Sequence, residues 1–191
     1  MKILAFAGSL RRDSFNQRLL QVALDGARAA GAEVTLISLA EYELPLMNQN
    51  LEARDGLPEN ARKLKDLFMA HQGLLLACPE YNGSITPLLK NTLDWVSRPD
   101  GKEPGLKPYQ GKVVGLVSAS AGKLGGLRGL RHVREVFNVL GCMVLPEQFA
   151  LSGADQAFDG QGLLIDDRSR QQAQAVATRL ALTVKAMGTI R

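Results

Sequence analysis

The sequence predicts an α/β fold in which a five-stranded parallel sheet is covered by helices on both faces. Short apolar runs typical of buried strands alternate along the chain with longer segments of helical periodicity. Such alternation requires right-handed crossovers between parallel strands. The 191 residues, 46% hydrophobic and 22% charged, suit a single domain over residues 1–191 with a sizeable core.

The first half of the chain supplies three of the five predicted strands. Each is a short run rich in apolar or β-branched residues, at 2–7, 33–39 and 73–78. Between them, apolar residues spaced three or four apart predict helices over 14–30 and 59–71, and Gly31 ends the first of these. The polar residues 41–58 are predicted to be a long loop, and loops of that length are usually functional or disordered.

The second half repeats the alternation. Strands are predicted at 112–118 and 142–150, the latter bent at Pro146, and helices at 84–96, 125–140 and 167–187. Pro87 falls in the first turn of its helix, where a missing N–H costs little. Loops are predicted at 98–111 and 152–166. Five strands fit the sheet order 2-1-3-4-5, although the pattern alone does not determine that order.

Composition argues against several function classes. The net charge is +4 and the pI about 9.2, but basic residues are scattered and aromatics are only 5%, so we predict no nucleic-acid partner. The slight positive charge suits an anionic dinucleotide substrate. No apolar run is long enough for a bilayer and no cleavage site follows the N-terminal stretch, which predicts a cytoplasmic protein without a membrane partner.

The cysteines and histidines give no sign of a reactive or metal site. Cys78 and Cys142 each lie in or beside an apolar run and are predicted to be small buried hydrophobes, with no disulfide. No metal ligand set is predicted. His71 and His132 are predicted to be solvated helix residues away from the strand ends.

Three loops at the carboxyl ends of strands are the candidate ligand site, because ligands of open α/β sheets bind there. The first loop, residues 8–16, leads into a helix N-terminus and offers a phosphate the short donors Ser9, Ser14 and Asn16 and the cation Arg11. It lacks the P-loop and Gly-x-Gly-x-x-Gly patterns. A polar turn capped by Ser14 explains it equally well.

The second loop, 79–84, contains Pro, Tyr, Asn and Gly and suits a flat heterocycle, unless it is simply a tight turn capped by Asn82 or Ser84. The third loop, 118–126, consists mostly of small residues that let a ligand approach the backbone. A flexible loop before a helix is the alternative there.

Together these segments resemble the NADPH-dependent FMN reductase family, which includes quinone, chromate and azo-dye reductases. The matching motifs are Gly8-Ser9-Leu10-Arg11 with Ser14-Phe15-Asn16, Pro79-Glu80-Tyr81-Asn82-Gly83-Ser84, and Lys90-Asn91 with Asp94-Trp95. The resemblance implies a flavodoxin-like three-layer sandwich that binds FMN. One departure is Met47, where relatives often have an aromatic residue, and this puts the preference for an acceptor in doubt.

The resemblance also implies roles for individual residues. The FMN phosphate is expected to contact Ser9, Arg11, Ser14, Phe15 and Asn16. The isoalloxazine ring is expected to lie against Pro79, Glu80, Tyr81 and Asn82, with Gly83 and Ser84 adjoining. The pyrimidine end of the ring is expected near Ser118, Ala119, Ser120 and Gly122. Lys90, Asn91, Asp94 and Trp95 are expected to be structural, and no residue is expected to be catalytic.

The implied activity is transfer of hydride from NADPH or NADH through FMN to a small acceptor such as a quinone, flavin, azo compound or chromate. The family also implies a homodimer or homotetramer built partly from the helix that carries Arg128 and Arg131, with Glu147 as their partner on a neighbouring subunit. Two alternatives stay open. A flavodoxin-type electron carrier would have no NAD(P)H turnover of its own, and a non-catalytic binding module would need a contiguous basic face.

Overall fold

Five parallel strands form the central sheet. The structure is a computed structural model that describes residues 1–188, so the last three residues of the predicted domain lie outside the described part. In chain order the strands are β1 (Lys2–Ala7), β2 (Glu33–Leu36), β3 (Gly73–Ala77), β4 (Glu80–Tyr81), β5 (Ser84–Ile85), β6 (Val113–Ala119) and β7 (Met143–Leu151). The sheet order is β2-β1-β3-β6-β7, all parallel, while β4 and β5 pair separately. The predicted order 2-1-3-4-5 is therefore confirmed.

Helices cover both faces of the sheet. They are α1 (Phe15–Ala29), α2 (Gln49–Asp55), α3 (Glu59–Ala70), α4 (Pro87–Val96), α5 (Leu127–Val139) and α6 (Asp167–Gly188). Side chains of β1 alternate between two cores: Ile3 and Ala5 pack with α1 and α6, whereas Leu4 and Phe6 pack with α3, α4 and α5. Because both faces are buried, the strands read as continuous apolar runs rather than alternating ones.

The segment after β2 is more ordered than predicted. β2 ends at Leu36 rather than residue 39, because Ser38 accepts a hydrogen bond from Ala40 N and begins a 3-10 turn, Leu39–Glu41. The predicted loop 41–58 contains helix α2, whose N-terminus is capped by the side chain of Asn48. Asn is a preferred N-cap residue, so this helix had a signal in the sequence.

The edge strand β7 bulges at the predicted place. Val114 pairs with Val144, but Leu116 pairs with Gln148, so the register shifts across Pro146. Arg134 of α5 fills the bulge, since it donates to Leu145 O (2.7 Å) and to Gln148 Oε1 (2.9 Å). A bulge and a proline both make an edge strand a poor template for pairing with another chain.

His71 is a buried structural residue, so the prediction of a solvated side chain is wrong. Its Nδ1 lies 2.6 Å from Leu67 O and its Nε2 2.7 Å from Thr35 Oγ1, which joins α3 to β2. Cys78 and Cys142 are free and buried, as predicted. Burial raises the pKa of the Cys142 thiol to about 12, and that of Cys78 further, which disfavours the thiolate form of both. Within residues 1–188, no helix is long and apolar enough to span a bilayer.

Candidate functional site

The three loops at the carboxyl edge of the sheet are joined by hydrogen bonds between buried groups. Thr86, at the end of the second loop, donates to Gly8 O of the first loop at 2.9 Å. Asn16 of the first loop exchanges two hydrogen bonds with the backbone of Ala119 in the third loop, at 2.8 and 3.0 Å. Ser118 donates to Cys78 O at 2.7 Å. The structure therefore brings the three loops together as one surface.

Thr86 is the joint between the first two loops, and it also caps α4 by accepting from Leu89 N at 3.2 Å. We expect Thr86→Val to destabilise the protein by about 2 kcal/mol, because it leaves a buried carbonyl and a helix N–H without their partner. Thr86→Ser keeps both bonds and serves as the control. Urea unfolding measures the difference, and equal midpoints for the two variants would contradict this role.

The first loop leaves helix N–H groups available to an anion. Ser14 caps α1, its side chain accepting from Gln17 N at 3.4 Å, and the first helical bond runs from Arg18 N to Ser14 O. The N–H groups of Phe15 and Asn16 precede that bond and are orphan donors of the first turn. Ser9 orders the loop by accepting from Arg11 N at 3.3 Å. Arg11 itself is exposed.

The side chain of Asn16 contacts the third loop. Its side chain is buried, and both polar atoms of its amide bind the Ala119 backbone. Only its backbone N–H is left for a phosphate. The side chain instead holds the start of α1 against the end of β6, which the sequence could not reveal because the two residues are 103 positions apart.

The second loop is a two-residue β-hairpin rather than an irregular loop. Asn82 (φ 51°) and Gly83 (φ 82°) both have positive φ, as a type I′ turn requires, and Asn-Gly is a strong signal for that turn. The hairpin presents Tyr81, which is 58% exposed, and the exposed Asn82. Pro79 is buried at its base. The hairpin also shortens the predicted helix 84–96, which begins at Pro87; Pro87 is at the first helical position, as predicted.

Glu80 attaches this hairpin to α5. Its carboxylate accepts from Arg128 Nε (2.9 Å), Arg128 Nη2 (2.6 Å) and Gly129 N (2.9 Å), and its side chain is only 9% exposed. Gly126, at the N-cap of α5, has no side chain, so Glu80 supplies the missing cap. Burial raises the pKa of Glu80, but the Gly129 and Arg128 hydrogen bonds outweigh it and hold that pKa below its usual value. The Glu80 carboxylate is thus committed to α5, which leaves its backbone as the part available to a ligand.

A second contact joins the other strand of the hairpin to α5. His132 Nδ1 lies 2.9 Å from Ser84 Oγ. His132 is exposed, as predicted, but the prediction that it lies away from the strand ends is wrong. The one-turn spacing of Arg128 and His132 on α5 puts both beside the hairpin.

The third loop is only partly accessible. Ser118 has no exposed surface and Ala119 only 4%, and the Ser118 side chain supports the loop from within by donating to Cys78 O. Ser120 and Gly122 follow at the surface, with Gly122 N donating to Ser120 Oγ at 3.1 Å. The exposed residues of this loop, which a ligand can reach, are Ala121, Gly122, Lys123 and Leu124, and Ser120 is half-buried beside them.

Asn91 and Trp95, from the motif on helix α4, bind the backbone of the segment around Met47. Asn91 accepts from Met47 N (2.8 Å) and donates to Pro45 O (3.0 Å), and Trp95 Nε1 also donates to Pro45 O at 2.7 Å. Met47 packs against a small core formed by Leu57, Ala61 and Trp95, while Leu46 is 79% exposed.

Two comparisons establish the family. The model of the family described as NADPH-dependent FMN reductase matches residues 1–156. An NAD(P)H-dependent FMN reductase of Pseudomonas aeruginosa is 35% identical over 186 residues, covering 97% of this chain and 96% of the relative. The chain belongs to the NADPH-dependent FMN reductase family. This family uses FMN with NAD(P)H as electron donor, so the protein is an oxidoreductase.

Other relatives agree with this assignment. A quinone reductase of Pseudomonas putida is 34% identical to this chain over 180 residues, covering 93% of this chain and 91% of the relative. Among solved structures, the flavoenzyme FerB of Paracoccus denitrificans, an NAD(P)H:(acceptor) oxidoreductase, superimposes with a TM-score of 0.80 at 24% identity and covers 97% of both chains. That likeness confirms the flavodoxin-like fold.

Proposed function

We propose that the three joined loops bind FMN and that the protein uses it to transfer hydride from NADPH or NADH to a small acceptor. The observation that supports this most is the combination on one surface of a helix N-terminus with orphan N–H groups, an exposed Tyr81 on a rigid hairpin, and a loop of small residues. These features fit, in that order, a phosphate, a flat ring and the edge of that ring.

Each predicted contact now has a specific form. We propose that Ser9, Ser14, the N–H groups of Phe15 and Asn16, and the guanidinium of Arg11 hold the phosphate. The ring lies against Tyr81 and Asn82 with the backbone of Pro79, Glu80 and Gly83, and its pyrimidine end lies near Ser120 and Gly122. Ala119 supports the site from behind, because its backbone N–H and C=O both bind the Asn16 side chain.

Bound FMN supplies the redox chemistry by accepting a hydride and passing the electrons on. The protein's task is to position the ring and to stabilise negative charge on it. Backbone N–H groups at the turn of the second loop do this as an oxyanion hole does, without a side-chain acid or base. The N–H groups of Ala119, Ser120 and Gly122 in the third loop already donate within the protein. Donor and acceptor would occupy the same exposed site beside Tyr81 in turn, which predicts ping-pong kinetics. Quinones are the first acceptors to test, because relatives are named quinone reductases.

Absorbance of the purified protein tests the function. After addition of FMN and desalting, we expect a persistent flavin band that bleaches when NADPH is added without oxygen. A subsequent addition of a quinone should restore the band. Retained FMN that NADPH fails to bleach would instead support the electron-carrier alternative. Loss of all FMN on desalting would contradict the proposal.

Arg11 is the residue we expect to matter most to the phosphate. Arg11→Ala should weaken FMN binding about tenfold or more and leave riboflavin, which lacks the phosphate, nearly unaffected. Arg12 is the matched control, because it is adjacent, exposed and equally charged. Titration of flavin fluorescence measures both affinities. Equal effects of Arg11→Ala and Arg12→Ala would indicate nonspecific electrostatics only.

We further propose that one domain carries the whole site and that the protein acts in the cytoplasm as a homodimer or homotetramer. The exposed Arg131 and Val139 on α5 support an interface there. Arg128 pairs with Glu80 of the same chain, and Glu147 pairs with Arg179. A salt bridge from Arg128 to Glu147 of a neighbouring subunit is therefore not part of the proposed interface. An unchanged oligomeric mass for Arg131→Glu in light scattering would contradict an α5 interface.

A further inference from the structure

Three side chains from two distant segments form a stacked column beside the first loop. The guanidinium carbon of Arg11 lies 4.8 Å from the centre of the Phe15 ring. The Phe15 ring is stacked on that of Phe158, with centroids 6.4 Å apart and planes only 5° from parallel. The column therefore connects the exposed Arg11 to the chain that follows β7.

Phe158 is a rigid platform because its own loop is closed by hydrogen bonds. It forms an antiparallel bridge with Leu164, which is itself buried in the core. Asp159 Oδ1 accepts from Gln161 N and Leu163 N, both at 2.9 Å, and Ile165 N donates to Ala157 O at 3.0 Å. Phe158 also packs against the core between the sheet, α1 and α6. The family match ends at residue 156, so this platform lies outside it.

The column restricts a side chain that would otherwise be free. Phe15 is the first residue of α1, and contact with a fixed ring on one side limits its rotamers. Arg11 lies over the same Phe15 ring in a cation–π contact. Its Nη2 donates to Asp13 O at 2.8 Å, which leaves the other N–H groups of the guanidinium for an anion.

We propose that Phe158 is a positioning residue for the phosphate end of the flavin site. It acts through Phe15 to hold the Arg11 guanidinium in the orientation that binds phosphate. This inference rests on the proposed function, because it takes the bound anion to be the phosphate of FMN. The benefit is preorganisation: the arginine loses less conformational freedom when the anion arrives.

The test compares FMN with riboflavin in Phe158→Leu, which keeps an apolar side chain but removes the ring. FMN affinity should fall roughly three- to tenfold, as expected for the loss of one aromatic contact and a weakened cation–π contact, while riboflavin affinity stays unchanged. Phe149→Leu is the control, since Phe149 packs against the same core without joining the column. It should leave the ratio of the two affinities unaltered.

Two further measurements separate positioning from a general loss of structure. In Arg11→Ala, the additional change Phe158→Leu should have no further effect on FMN affinity, because the arginine on which it acts is gone. In flavin-free protein, the Arg11 Nε proton should show an upfield ring-current shift in NMR spectra that Phe158→Leu removes.

Two results would overturn the inference. One is a parallel fall of FMN and riboflavin affinity in Phe158→Leu, which indicates a structural role only. The other is unchanged FMN affinity with an unchanged Arg11 signal. Failure of the wild-type protein to bind FMN is a different result: it defeats the proposed function, and the positioning role falls with it.

Discussion

Replacing Glu80 by alanine should weaken FMN binding at least tenfold and lower the free energy of unfolding by about 2 kcal/mol. The carboxylate makes three hydrogen bonds to α5, and a charged hydrogen-bonding group held in a nearly buried place contributes on this scale. Without it, the N-terminus of α5 loses its cap and the hairpin that bears Tyr81 loses its attachment. Flavin titration and urea unfolding measure the two effects.

Glu135→Ala is the matched control, because Glu135 is an exposed carboxylate on the same helix. It should change neither quantity by more than a few tenths of a kcal/mol. If Glu80→Ala loses stability but binds FMN as tightly as the wild type, then the hairpin does not need this attachment to receive the ring.

Acidification should reproduce part of the Glu80 effect. The folded-state pKa of Glu80 is lowered relative to the unfolded chain, so its stabilisation is complete above the ordinary carboxyl pKa of about 4.3 and is lost as pH falls through the lower folded value. Wild type should therefore be more stable than Glu80→Gln at neutral pH, and the difference should vanish in acid. A difference that is constant with pH would contradict an ionised Glu80 as the attachment.

Gly126→Ala should be the most destabilising of the single substitutions considered, at about 2–5 kcal/mol. Its φ of 90° strains any L residue, and a Cβ there would lie 1.9 Å from Ser118 Oγ and 3.0 Å from Ser118 Cβ. Positive φ costs about 1–2 kcal/mol and overpacking about 1–3 kcal/mol. Unfolding in urea measures the change, and we expect FMN affinity to fall with it because Glu80 contacts the same turn of α5.

A second substitution tests whether the clash with Ser118 is the cause. Ser118→Ala removes the oxygen nearest the new methyl group, so the double variant should be more stable than the sum of the two single effects predicts, by about 1 kcal/mol or more. Gly160→Ala is the control for the glycine change itself, since a Cβ there meets nothing within 4 Å. Strict additivity of the two changes would contradict the clash.

The layered fold was predictable because it depends on local signals. Buried strands on both faces of a parallel sheet give apolar runs, and helices between them give a 3.6-residue period. The features that were predicted wrongly, the end of β2 and the environment of His71, depend on tertiary contacts. Ser38 ends β2 early, and nothing around residue 71 indicated that its imidazole would bridge α3 and Thr35. Helix α2, by contrast, had a readable cap in Asn48.

For the candidate site too, some features were predictable from the sequence and others depend on tertiary contacts. Its location followed from the rule that loops at carboxyl ends of parallel strands converge, and its residues followed from the motifs. The sequence did not indicate which of these residues face a ligand and which hold the loops together. The side chains of Asn16, Ser118 and Glu80 hold the loops to one another, each through partners at least 40 positions away in sequence. Only the assembled geometry distinguishes a residue that touches a ligand from one that supports its neighbour.

Trp95, the one tryptophan in the chain, gives the protein an internal optical probe. Its indole is fully buried and donates to Pro45 O, in the segment that carries the exposed Leu46. Emission from an indole depends on its polarity and hydrogen bonding. A change in Trp95 emission at constant far-ultraviolet circular dichroism would therefore report release of the segment around Pro45 while the helices stay folded.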